Sequence, residues 1–292
     1  MGDGSRFEAL AAIPDADIDV ALGAALIARD VYGSLDVDAV LARFDELARP
    51  LAGRGLGGAP ARVQAEQLSQ HIYDACGFSG NETDYYDPRN SLISDVLDRR
   101  LGIPITLAIV YGEVARRVGV RARGVAFPGH FLVRLEGDAG LDAGGRDDLR
   151  PDGEAGAPLL VDPFFGGRVL DDDALTTLYT RVSGRTAPPP PALLEPASPR
   201  AMLVRMLVNL RSIYLSRGDL ARAMLAIDRI VCLTPDAPEP LRERGLLSAR
   251  LGASASAIAD LERFLVLAPG AEDADAIRVR LQQLRVKPAA PN

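Results

Sequence analysis

The chain has 292 residues, 48% of them apolar and 25% charged, with a net charge of −7 at pH 7. At about 150 residues per domain, that length predicts two folded parts with enough apolar material for a real core. The acidic balance argues against broad binding to nucleic acid or anionic lipid, and no run approaches the ~20 apolar residues of a membrane-spanning helix.

Residues 6–76 read as helical. Leu22, Ala25, Leu26 and Arg29 stand at helical spacing within 19–32. Asp36 caps a helix carrying Val37, Val40, Leu41, Phe44 and Leu47, which Pro50 ends. A further helix is predicted over 61–75, stopping at Gly77. Residues 78–91 form a polar, aromatic segment dense in turn formers, of the kind that is often functional. Asn90 or Ser91 is positioned to cap a helix running through Arg99 that Gly102 ends. The next helix opens at Pro104, where proline costs nothing, and closes at Gly119.

Strands are predicted over 124–127 and 131–135, flanking Pro128-Gly129-His130, and over 159–162. The Gly- and Asp-rich stretch 137–157 between them is expected to be a mobile hairpin tip. Pro188–Pro191, Pro196 and Pro199 predict a stiff extended linker. After Arg200 a repeat appears: Gly218 recurs as Gly252, Ala223 as Ala257, Ile227 as Leu261, Leu233 as Leu267 and Pro235 as Pro269. The offset of 34 residues is the tetratricopeptide period. The predicted organisation is therefore 1–185, a linker over 186–200, and helical repeats over 201–292.

Two cysteines, Cys76 and Cys232, make no disulfide framework, and Met1–Arg6 lacks the pattern of a secretory signal. A cytoplasmic location is expected. Both cysteines are expected to be core. With only His71 and His130, the chain offers too few of the usual zinc ligands, and neither metal nor cofactor is expected.

Chemistry concentrates on the hairpin. Paired residues of an antiparallel ladder have a constant index sum. If 137–157 joins the strands, that sum is near 292 and His130 lies beside Asp162. A carboxylate there would fix the tautomer and orientation of the ring. Such a pair serves nucleophilic catalysis, and it also occurs as a plain structural hydrogen bond. Asp84, Tyr85, Asp87, Asn90 and Ser91 either line a cleft near His130, or cap and pack the following helix.

Four runs carry a resemblance: Tyr85-Tyr-Asp-Pro-Arg-Asn-Ser-Leu92, Gly102-Ile-Pro-Ile-Thr-Leu-Ala108 through Ala115-Arg-Arg-Val-Gly119, Pro128-Gly-His-Phe-Leu-Val133, and Val161-Asp-Pro-Phe164. They resemble the SirB family of the transglutaminase-like superfamily, over about residues 18 to 284. The resemblance implies an α+β fold: a helical N-terminal part, a papain-like core with a small antiparallel sheet, and C-terminal tetratricopeptide hairpins. It implies that His130 and Asp162 match the base and its orienting carboxylate. The nucleophilic cysteine, expected at a helix start near 104–106, is absent; Thr106 supplies the nearest hydroxyl. The expected function is a non-catalytic protein that binds a protein partner through its cleft and helical repeats, with Tyr85, Asp87, Asn90 and Ser91 as binding residues. One alternative is an acyl-transfer or amide-hydrolysing enzyme using His130, Asp162 and Thr106 or an activated water. The other is a structural subunit.

Overall fold

The computed structural model describes residues 4–136 and 158–286; the expected hairpin tip at 137–157 lies outside them. Residues 14–206 form one compact unit. The first helix, α1 (Gly4–Ala12), groups instead with the chain from Leu207 onward.

In the larger unit, α2 (Val20–Tyr32) and α3 (Val37–Ala48) start where carboxylates satisfy free helix amides. Asp19 accepts from Leu22 N at 2.9 Å, and Asp36 accepts from Asp38 N and Ala39 N at 3.0 and 3.1 Å. The helix predicted over 61–75 is α-helical only as α4 (Ala61–Ser69); Gln70–Ala75 widens into a π-helical turn.

A parallel pair that the chain's pattern did not suggest follows: β1 (Ser79–Gly80) against β2 (Leu101–Gly102). Between them lies α5 (Ile93–Arg99). It ends at Arg100, not Gly102: Arg100 takes the left-handed conformation, φ 61°, and its guanidinium sits 4.6 Å from the centre of the Phe78 ring. The central helix is α6 (Pro104–Arg117). Leu107, Ala108, Ile109, Val110, Tyr111, Val114 and Ala115 are all buried on it, so it is apolar nearly all round, as a helix enclosed by its own unit must be.

The sheet is β3 (Ala122–Val125), β4 (Leu132–Leu135), β5 (Leu159–Asp162) and β6 (Arg168–Leu170), paired in that order and antiparallel throughout. β3 starts two residues before the predicted strand. β6 and the helix after it, α7 (Asp172–Ser183), were not predicted. Val133 pairs with Val161 and Leu135 with Leu159, an index sum of 294 rather than 292. The parity is unchanged, so each side chain keeps its face.

The proline-rich segment expected to be a linker is packed into this unit. Leu193 and Leu194 cover the core formed by Val125, Phe127, Leu132, Leu160 and Leu170. Ala197 N donates to Gly124 O at 2.8 Å. The following helix, α8 (Pro199–Ser216), buries Met202, Leu203 and Met206. Apolar Leu193 and Leu194 bind a stretch whose prolines alone read as a spacer.

The second unit contains the repeats. Its helices are α9 (Leu220–Leu233), α10 (Pro238–Arg250), α11 (Ser254–Leu267) and α12 (Ala274–Val286). Equivalent positions behave alike: Ala223 and Ala257 are buried, as are Ile227 and Leu261. Gly218 and Gly252 both adopt positive φ after a helix. At Gly245 a Cβ would stand 2.8 Å from Leu261, so glycine sets how closely α10 approaches α11. α1 packs on α9, with the Arg229 guanidinium 4.7 Å from the Phe7 ring centre. Two repeats alone are short of the ~3 that a free-standing array needs; α1 adds a further apolar face from the opposite end of the chain. Cys232 in α9 is half-buried rather than core, as is Cys76.

Candidate functional site

His130 is delivered by a tight turn. Pro128 and Gly129 occupy its centre, Gly129 has φ 66°, and His130 N closes it onto Phe127 O at 3.0 Å. Asp162 ends β5 and opens a second turn, closed by Gly167 N donating to Asp162 O at 2.9 Å. Its carboxylate folds back on that turn: Oδ1 accepts from Phe164 N at 3.1 Å and Phe165 N at 3.3 Å.

The two turns lie at the same end of the sheet. His130 Nε2 is 2.9 Å from Asp162 Oδ1, with Asp162 wholly enclosed and His130 nearly so. An oxygen already accepting two backbone N–H bonds is an acceptor for the ring as well. Nε2 therefore carries the proton, and on the neutral ring Nδ1 is an acceptor. Among the described residues no hydrogen bond reaches Nδ1.

Aromatic rings surround the pair. Phe165 stacks on His130 with centroids 6.2 Å apart, and Phe164 meets it edge-on at the same distance. Tyr85 touches Phe164 edge-on at 6.0 Å and Tyr86 at 5.3 Å. Arg168, opposite Asp162 in the β5–β6 ladder, lies 5.2 Å from the Phe165 ring centre and 3.6 Å from Asp162 Oδ2. Tyr86 is 71% exposed, and Tyr85, Phe165 and Arg168 also reach the surface. Phe164 fits because residue 80 is glycine: a Cβ there would stand 2.6 Å from its ring. Phe165, Arg168 and Gly80 gave no signal in the sequence, because their roles depend on ring contacts across the fold.

The polar loop divides. Tyr85 joins the aromatic cluster, and burial raises its phenol, partly offset by the Arg205 charge. Asn90 is a structural tie. Its amide nitrogen donates to Asp84 O at 2.7 Å and Tyr85 O at 3.2 Å, and its oxygen accepts from Asn81 Nδ2 at 3.0 Å and Arg99 at 3.3 Å. Neither Asn90 nor Ser91 caps α5: its first flanking residue is Leu92, and the Ser91 hydroxyl is buried without a partner. Asp87 caps the short 3-10 turn Pro88–Ser91 and holds Arg89 at 2.7 Å.

Burial pushes the Asp87 carboxyl up, but the Arg89 hydrogen bonds and the charges of Arg89 and Arg99 outweigh it, so its pKa falls below 3.8. A lowered carboxylate pKa stabilises the fold above the unfolded value, and that contribution is lost as pH drops through the folded one. The stability difference between wild type and Asp87→Asn should therefore be constant above about pH 5 and shrink below about pH 4. Urea midpoints measured across that range test this; a difference independent of pH would be the contrary result.

The candidate nucleophiles are occupied. Thr106 is fully buried at the head of α6; its hydroxyl donates to Asn90 O at 2.8 Å and accepts from Ile103 N at 3.1 Å. No hydrogen bond links it to His130. Cys76 Sγ lies 3.6 Å from His71 Nε2, but that nitrogen also lies 2.7 Å from Leu47 O and must donate to it. It cannot serve as a base for the thiol, which burial pushes up despite the Arg100 charge. Among the described residues no group of three His, Cys, Asp or Glu could hold a metal ion, and no helix is long and apolar enough to cross a membrane.

Residues 37–208 match the model of the transglutaminase-like superfamily, and residues 210–282 match a tetratricopeptide repeat. The chain is 39% identical over 281 residues to a UPF0162 protein of Xylella fastidiosa strain Temecula1, covering 94% of this chain and 93% of that one. It is 30% identical over 227 residues to a UPF0162 protein of Pseudomonas aeruginosa, covering 78% and 76%. A 69-residue stretch, 24% of this chain and 11% of the other, is 48% identical to F-box only protein 21 of Mus musculus. No solved structure matches. The matched span contains both turns of the His130–Asp162 site, and the repeat match falls within the second unit. The chain belongs to the transglutaminase-like superfamily, in its SirB-like UPF0162 branch with a tetratricopeptide tail.

Proposed function

We propose that this protein recognises a protein partner and does not transfer acyl groups. The observation that carries this reading is Thr106: at the helix start where a nucleophile is expected, the only hydroxyl is enclosed and spent on Asn90 O and Ile103 N. A buried hydroxyl bonded on both sides has neither access to a substrate nor a base beside it. The surface above the His130–Asp162 pair suits binding. Tyr85, Tyr86 and Phe165 offer large, stiff faces, and Arg168 offers a charge beside them. His130 Nδ1 offers a hydrogen-bond acceptor to a bound backbone. Tetratricopeptide repeats form helical surfaces that commonly hold other proteins. Two cysteines that form no disulfide suit a reducing compartment such as the cytoplasm.

A hydrolase acting through an activated water is the second reading, favoured by the Asp162-oriented ring with an unbonded Nδ1. One comparison separates the two. Peptides selected from a random library for binding wild type should bind Tyr86→Ala and Phe165→Ala at least about 10-fold more weakly, a loss normal for a buried aromatic anchor. Ester and amide substrates should turn over no faster with wild type than with His130→Ala. Turnover in wild type that His130→Ala abolishes would establish the enzyme instead.

A further inference from the structure

The carboxylate that holds His130 has a second oxygen, and the fold packs the Tyr73 ring against the turn that carries it. α4 leaves the α-helical ladder at Gln70, and the π-helical turn Gln70–Ala75 carries Tyr73. Such turns redirect side chains and recur at functional sites. The redirected ring is pressed against the Asp162 turn. A Cβ on Gly167 would stand 2.5 Å from Tyr73 Cε2 and 2.3 Å from Ser69 Oγ. The Ser69 hydroxyl donates to Gly167 O at 2.8 Å, and Gly167 N donates to Asp162 O. Helix and turn are thus clamped through a residue that must be glycine.

Two polar atoms inside this clamp stand out. The Tyr73 hydroxyl and Asp162 Oδ2 are both fully covered, and among the described residues neither has a hydrogen-bond partner; the Arg168 guanidinium, 3.6 Å from Oδ2, makes an ion-pair contact too long for a hydrogen bond. Buried polar groups are nearly always hydrogen-bonded, so an unbonded hydroxyl and an unbonded carboxylate oxygen on two segments packed together at Gly167 call for a common explanation. One is a donor and the other an acceptor. Burial first, then Tyr111 and Asp162, hold the phenol well above its ordinary range, so it keeps its proton to donate.

We infer that Tyr73 is the positioning residue of the His130–Asp162 pair: its hydroxyl serves Asp162 Oδ2, by a small rotation or across one bridging water, and so fixes the carboxylate that holds Nε2. Bridging waters of this kind are nearly as good as direct bonds. The role is the same whether His130 binds a ligand or acts on one.

The test is Tyr73→Phe, which keeps the ring and removes only the oxygen. The chain has two histidines, so its imidazole N–H signals are few enough to assign by 1H–15N NMR. His71 lies on the same π-helical turn and donates to Leu47 O, which makes it an internal reference for general loosening. The expected result is solvent exchange of the His130 Nε2–H at least about 10-fold faster, the loss of about one hydrogen bond, with His71 unchanged and Tm lowered. Unchanged exchange at His130, or equal acceleration at both histidines, overturns the inference. So does a raised Tm, because deleting a truly orphaned buried hydroxyl stabilises a fold.

Discussion

Replacing Asp162 by alanine is expected to destabilise the larger unit by at least about 3 kcal/mol, at roughly 1–3 kcal/mol for each buried donor left without an acceptor. The reason is the number of donors that converge on one enclosed carboxylate. Oδ1 takes Phe164 N, Phe165 N and His130 Nε2, and all three would be left facing a cavity. The turn over 162–167 would lose its shape, and with it the stacking of Phe165 on His130. Asp162→Asn keeps one acceptor oxygen in place and should cost less than half as much. Urea denaturation of the three proteins measures this. Equal stability of Asp162→Ala and wild type would mean that the amides and the ring find other partners, and that the pair organises nothing.

Asn90→Ala is expected to cost about 2–4 kcal/mol, from roughly 1 kcal/mol for each satisfied bond plus the groups left unpaired. The amide of Asn90 ties the Asp84 and Tyr85 carbonyls to Asn81 and Arg99 at once. Without it, residues 81–92 should loosen as a segment. Cleavage after Arg89 by trypsin should then speed up well beyond any change at other arginines, because Arg89 is already exposed in the intact loop. Asn90→Asp should be as damaging as alanine: it turns the donor that faces two carbonyl oxygens into an acceptor. A cleavage pattern indistinguishable from wild type would show that the loop is held by its aromatic contacts instead.

The sequence reads Tyr85, Asp87, Asn90 and Ser91 as binding residues, and the fold sorts them by physical role. Asp87 and Asn90 are short polar side chains, and a sequence of this kind shows equally well a loop that binds and a loop that is tied down. The difference lies in where the lone pairs point, which depends on Asn81, Arg89 and Arg99 arriving from neighbouring elements. Tyr85 alone of the four reaches an aromatic surface. Thr106 shows the same limit. Its place at a helix start was legible, but not that its hydroxyl faces inward to Ile103 N and Asn90 O.

The amino-acid sequence by itself determined the α+β class, the superfamily, the 34-residue repeat and the approach of His130 to Asp162. The class and the superfamily rest on the resemblance carried by four motif runs; the repeat and the approach of His130 rest on local periodicity, on turn residues, and on the parity of a hairpin, which a two-residue error in register leaves intact. Only the tertiary structure decided the rest: β6, the pairing of β1 with β2, the burial of the proline-rich stretch and the grouping of α1 with the repeats. Strands of two or three residues carry no usable alternation. A stretch or helix joins whichever apolar surface lies in reach; for Leu193 and Leu194 that surface comes from residues 125–179, and for α1 from α9 at the far end of the chain.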